Sequence, residues 1–267
     1  MRVSFKGGLM WRFKKYSVGH SLAVRVLPMV CLIIVLKIAA YFLGLEFLSL
    51  SPLFSGILAA NVFLMGFLIS GVLADYKESE KLPGELAVCI QAFRDEAHGI
   101  LKAKQAEEAR VCLAYTGTLA EAVLDWFQKK RRTQEVFDLI RGLNDQFRAL
   151  EPFTAPQFIA RLKQEQTSLR RMIVRCHTIR ETDFVTSGYL IAELTTILLC
   201  LGLITTHFTP FYESLFFVFV ISFFLIYLLA LIRSLDNPFG YYERGSLENV
   251  QLKPLEELVE ETRREQV

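Results

Sequence analysis

The sequence predicts an all-α membrane protein, in which four transmembrane helices carry a helical domain inserted between the second and the third. Three observations predict it. Four stretches of about twenty or more mostly apolar residues are each long enough to cross a bilayer core. The 267 residues are 52% hydrophobic and include 22 Phe, which suits a membrane protein bearing a charged domain better than a soluble enzyme. The charges, finally, are segregated along the chain.

That segregation sets the topology. Residues 1–25 carry six Lys/Arg and no acid, residues 75–185 carry eighteen basic and seventeen acidic residues, and residues 233–267 carry five and eight. The links between spans one and two (Ser49–Pro52) and between spans three and four (around Thr209–Pro210) are short and hold no Lys or Arg. All long basic segments thus fall on one side, and the positive-inside rule predicts a multi-pass protein of the cell membrane with both termini in the cytoplasm. The predicted organisation is a basic cytosolic or interfacial N-terminus (1–25), helices one and two (26–74), a cytosolic helical domain (75–185), helices three and four (186–232) and a cytosolic tail (233–267). The near-neutral middle gives no reason to propose nucleic acid as a partner.

Taken in order, Met1–His20 interleaves basic residues with Phe5, Trp11, Phe13 and Tyr16. Two readings fit: an interfacial segment on acidic lipid, or a positive tail that only sets topology. Span one is Val26–Leu48, with Pro28 in its first turn, where proline is tolerated. Span two, Leu53–Ala74, runs on without a Gly/Pro stop into the charged stretch Asp75–Lys81 and meets a proline only at Pro83. The small residues Ser55, Gly56, Ala59, Ala60, Gly66 and Gly71 let helices approach closely. Phe63 and Phe67 stand one helical turn apart and face the same way.

In the insert, Leu86, Ile90, Phe93, Ala97 and Ile100 form an apolar stripe at helical spacing. A second helix holds Leu119, Val123, Trp126 and Phe127 before the basic cluster Lys129–Arg132. Glu135–Leu150 is a third, stopped by Pro152. The fourth starts near Pro156, a residue suited to a first helical turn, and carries Leu162, Leu169 and Cys176. Span three is Thr186–Phe208 and span four Phe211–Ile232. Pro238 and Gly240 predict an irregular turn after span four, and Val250–Arg264 predicts a short acidic helix against the cytosolic domain.

Catalytic, metal and cofactor signals are lacking. The five cysteines form no CxxC pair, which argues against a disulfide framework or a zinc site. His20, His98, His177 and His207 lie in four different segments; His177 and Glu181 share a helix face, more simply read as solvated than as metal-binding. No phosphate-binding glycine motif is present. Two intramembrane charges stand out instead, Lys37 within span one and Glu193 within span three. An ionisable group at that depth faces protein or water by default. Lys37 pairs with Glu193, lends positive potential to an anion pathway, or snorkels. Glu46 and Glu213, at the outer ends of their spans, are expected to face water.

Phe63-Leu-Met-Gly66-Phe67 in span two, Asn237-Pro238-Phe239-Gly240 directly after span four, and the four-span layout with its helical insert together resemble the bestrophin family of anion channels. The Leu235–Phe239 phrase is also similar to one that ends the last span of bacterial bestrophin-like membrane proteins. The layout covers most of the chain and the motifs about ten residues. The resemblance implies a homopentamer around one pore for chloride or other small anions, without a cofactor. In it, span two lines an apolar neck at Ala59, Phe63 and Phe67, and Ser55, Gly56 and Ser70 add to the lining. Ala59 stands where the family often has a larger aliphatic, which leaves the tightness of the neck open. The calcium-regulated animal members follow Asn-Pro-Phe-Gly with a run of acids, whereas here Tyr241, Tyr242, Glu243 and Arg244 follow. Asp236 and Glu243 cannot supply the six to eight oxygens that calcium takes, so no tight calcium clasp is expected.

Two function classes remain from the sequence. One is an oligomeric anion channel; the other is a non-conducting membrane scaffold or sensor that binds a partner through its cytosolic helices. Ser55, Asn61 and Ser70 offer span two some polar lining but no ring of charge, which fits either.

Overall fold

The computed structural model describes residues 22–49, 51–181, 186–207, 209–241 and 249–265. The readings of Met1–His20 and of Glu243 lie outside them. The helices are α1 (Leu22–Phe42), α2 (Pro52–Ser79), α3 (Leu82–Lys104), α4 (Glu107–Phe127), α5 (Thr133–Leu150), α6 (Pro156–Glu181), α7 (Thr186–Thr205), α8 (Phe211–Asp236) and α9 (Lys253–Glu265). Four of them, α1, α2, α7 and α8, are long and apolar enough to cross a membrane. Two-residue strands β1 (Leu48–Ser49) and β2 (Thr206–His207) pair in parallel, with Leu48 opposite Thr206 and Ser49 opposite His207.

The chain divides into two compact units. The first holds α1, α2 as far as Leu73, α7 and α8; the second holds α2 from Ala74, then α3 to α6 and α9.

In the first unit α1 lies along α8 and α7 packs on both. Helix α1 buries Val26, Val30, Ile33, Lys37 and Ala40, and α8 buries Ser214, Val218, Ser222 and Leu225. Both stripes advance in steps of three and four, the spacing of one helical face. The opposite faces keep Leu32, Val35 and Phe216 exposed, as helices with apolar residues all round do when lipid completes their surroundings. Pro28 falls at the seventh residue of α1, in its second turn. The expected first-turn position is corrected because the helix starts at Leu22. A proline there withholds one backbone bond, that to the Val24 carbonyl.

The second unit packs α3 against α4 and α6, and α5 against α4 and α6, with α9 laid across α3 and α4. The stripes read from sequence are its core: Leu86, Ile90, Phe93, Ala97, Leu119, Val123, Phe127, Leu169 and Cys176 are all buried. Phe93 of α3 meets Phe147 of α5 at 5.4 Å between ring centroids. Arg94, buried in α3, donates to the Leu113 carbonyl (3.2 Å), the Thr116 hydroxyl (3.3 Å) and the Glu265 carboxylate. Helix α9 thus places an acid over a buried guanidinium, in addition to burying Leu255, Leu258 and Val259.

Helix α3 ends on Gln105 with φ 52°, and the Gln105 N–H closes on the Leu101 carbonyl at 2.8 Å. A left-handed residue with a Cβ costs about 1–2 kcal/mol, partly offset by the extra freedom of glycine in the unfolded chain. Gln105→Gly should therefore raise stability by up to about 1 kcal/mol, seen as a higher Tm. A lower Tm would contradict this reading of the cap.

Candidate functional site: the open face of α2

Ser51 starts α2 as its N-cap, its hydroxyl accepting the Phe54 N–H at 3.3 Å, and Pro52 follows at the first helical position, where its missing N–H is no loss. From there the helix separates two faces. Asn61, Met65, Leu68 and Val72 are buried. They lie within about 60° of one another on a helical wheel. On the other side Phe63 is 80% and Phe67 62% exposed. Ser55, Gly56, Ala59 and Ser70, the remaining residues named from sequence for this face, are exposed as well. All six share one side of the helix, and their own chain leaves it open.

Two hydrogen bonds tie α2 to α7. The Thr195 hydroxyl lies 2.6 Å from the Asn61 side-chain oxygen, and the Asn61 amide nitrogen donates to the Thr196 hydroxyl at 3.1 Å. Near the N-terminal end, the Phe54 ring sits over Gly202, where any added Cβ would come within 2.7 Å of the ring. Asn61 therefore faces α7, and its expected place in the polar lining is corrected. It stands about 200° from Phe63 on the wheel, so the two cannot share a face.

The two intramembrane charges do not pair with each other, although that pairing is one of the three readings the sequence leaves open for Lys37. Lys37 is fully buried and holds Glu46 at 2.5 Å, not Glu193. Its ammonium also donates to the Thr206 carbonyl and reaches the Ile204 carbonyl at 3.4 Å. Glu193 pairs with Arg233 of α8. The physical reason lies in where α1 stops. It ends at Phe42, and Gly44 with φ +67° turns the chain, so that Glu46 folds back beside Lys37. On a helix continued to Leu48, nine residues would have put the two on opposite sides. Glu46 also contacts the His207 ring at 2.9 Å and is nearly buried, which corrects its expected exposure to water. With its charge matched by a carboxylate, Lys37 lends little net potential to any pathway.

Asn237-Pro238-Phe239-Gly240 acts as a packing clip in the second unit. Phe239 is buried with its ring 5.2 Å from that of Phe127. The Pro238 carbonyl accepts the Val250 N–H at 3.0 Å, and the Tyr241 hydroxyl donates to the Val250 carbonyl. Beside it, Arg180 stacks 4.5 Å over Trp126. His177 faces Arg180 at 3.5 Å, which does not suit a metal ligand, and among the described residues no three His, Cys, Asp or Glu come together as a metal set. Burial pushes the thiols of Cys89 and Cys176 up to about 12 and that of Cys112 to about 11, so they stay protonated and unreactive at neutral pH.

No family model matches the chain and no curated protein is similar to it in sequence. Solved structures do match. A bacterial bestrophin homolog from Klebsiella pneumoniae superposes with a TM-score of 0.73 at 18% identity, covering 91% of this chain and 97% of that one. A point variant of the same homolog gives 0.75 at 16% identity, covering 91% and 96%. A structure described as a membrane protein gives 0.71 at 16% identity, covering 92% and 96%. The chain therefore has the fold of the bacterial bestrophin homologs.

Proposed function

We propose that the protein is an anion channel of the cell membrane, a homopentamer in which the open face of α2 from each copy surrounds one axial pore for chloride or other small anions. The observation that carries this reading is the face itself. Phe63 and Phe67 are left exposed by their own chain, opposite the buried stripe of the same helix. Repeated around an axis, that face makes rings of aromatic side chains, and apolar rings gate by dewetting. Ser55, Gly56 and Ser70 line the path on either side of the neck, with Ala59 one turn from Phe63. Both termini and residues 75–185 lie in the cytoplasm in this reading, which the charge distribution supports.

The test is flux. Purified protein in liposomes is expected to release chloride and exclude sodium, and to do so equally with and without micromolar calcium. A well-formed oligomer that passes no anion would overturn the reading and leave a non-conducting scaffold. A calcium requirement would overturn the expected lack of a calcium clasp.

A further inference from the structure

We infer that Asn61 and the Thr195–Thr196 pair form a rotational stop that aims the pore face of α2. This rests on the proposed channel reading and names the residues that would set its neck. Asn61 is 3% exposed near the middle of span two, where no water competes for its amide. An unsatisfied amide in hydrocarbon is costly, so interhelical bonds of this kind fix one helix against another. Both ends of the amide are engaged by adjacent residues of α7, the oxygen by Thr195 and the nitrogen by Thr196. Two anchors on neighbouring residues specify an angle as well as a contact.

The angle is what matters for the pore. Phe63, Ser70 and Phe67 stand about 200°, 180° and 240° round the helix from Asn61. Holding Asn61 on α7 therefore points them away from α7. A small rotation of α2 would move the aromatic rings off the axis and break both Asn61 bonds at once. Thr195 supplies a ready alternative, because its single hydroxyl proton is shared between Asn61 at 2.6 Å and the Ile191 carbonyl at 2.7 Å. When that proton turns to Ile191, the Asn61 oxygen loses its donor. One of the two anchors can thus be released without unfolding α7, leaving the Asn61 nitrogen on Thr196. Asn61 is a positioning residue; it touches no ion.

Two readouts test it. The first is cross-linking between copies in a Cys31→Ala background, since Cys31 is the exposed native thiol. With Asn61 present, oxidation should join copies bearing Phe63→Cys or Phe67→Cys and spare those bearing Val62→Cys or Leu64→Cys. Adding Asn61→Leu, an apolar replacement of similar size, should spread cross-linking to positions 62 and 64 while the oligomer and its Tm persist. The second is liposome flux, in which Asn61→Leu should change chloride flux several-fold. Thr195→Val/Thr196→Val should reproduce the change without adding to it, and Thr195→Ser should restore wild-type behaviour. Cross-linking confined to positions 63 and 67 in Asn61→Leu would overturn the inference, as would an unchanged flux in a conducting protein. Position-specific cross-linking that Asn61→Leu loosens, in a wild type that conducts nothing, would uphold the stop and sink the channel reading instead.

Discussion

Phe63→Ala/Phe67→Ala is expected to raise basal chloride flux through reconstituted protein, by roughly tenfold if the two rings are the dewetting barrier. Both side chains are large, apolar and unsupported by their own chain. Truncating them removes no intrachain packing of consequence, so assembly and Tm should change little. That separation makes the result interpretable. A leak with an intact oligomer locates the constriction, whereas equal flux in the double variant would move the neck elsewhere on α2 or off it. Selectivity for chloride over larger anions should fall in the same variant, because a wider neck asks less dehydration of the ion.

Lys37→Met should destabilise the protein by about 3–5 kcal/mol, the cost of stranding one partner of a buried ion pair. Glu46 would keep its charge with only His207 beside it, and the Thr206 carbonyl would lose its ammonium donor. Lys37→Met/Glu46→Gln removes the stranded charge and should recover most of the loss. The measurement is thermal unfolding of the solubilised oligomer for the two variants side by side. A single variant whose Tm stays at the wild-type value would mean that the pair is hydrated in the assembled protein. The location adds weight to the prediction. Lys37 and Glu46 join the end of α1 to the Thr206–His207 strand that follows α7, so breaking the pair loosens two spans together.

Four spans, the stripes of α3, α4 and α6 and the aromatic pair of α2 were legible in the sequence for one physical reason. Each is a local signal, a long apolar run or a helical periodicity, written within about two dozen consecutive residues, and reading it needs only local geometry. Even the clip at Asn237–Gly240 showed itself as an irregular turn, since proline and glycine act on the backbone where they stand. The ion pairs did not show in this way. Lys37 found Glu46 because α1 stops at Phe42 and the chain reverses at Gly44, and an apolar run extending to Leu48 hides that end. Asn61 was misread as lining although its angle to Phe63 is written in the sequence. What only the tertiary structure decided was that α7 brings Thr195 and Thr196 to it. Charges and amides within a membrane choose partners across the fold, where the alternative is an unsatisfied group in hydrocarbon, and no window of sequence contains both members of such a pair.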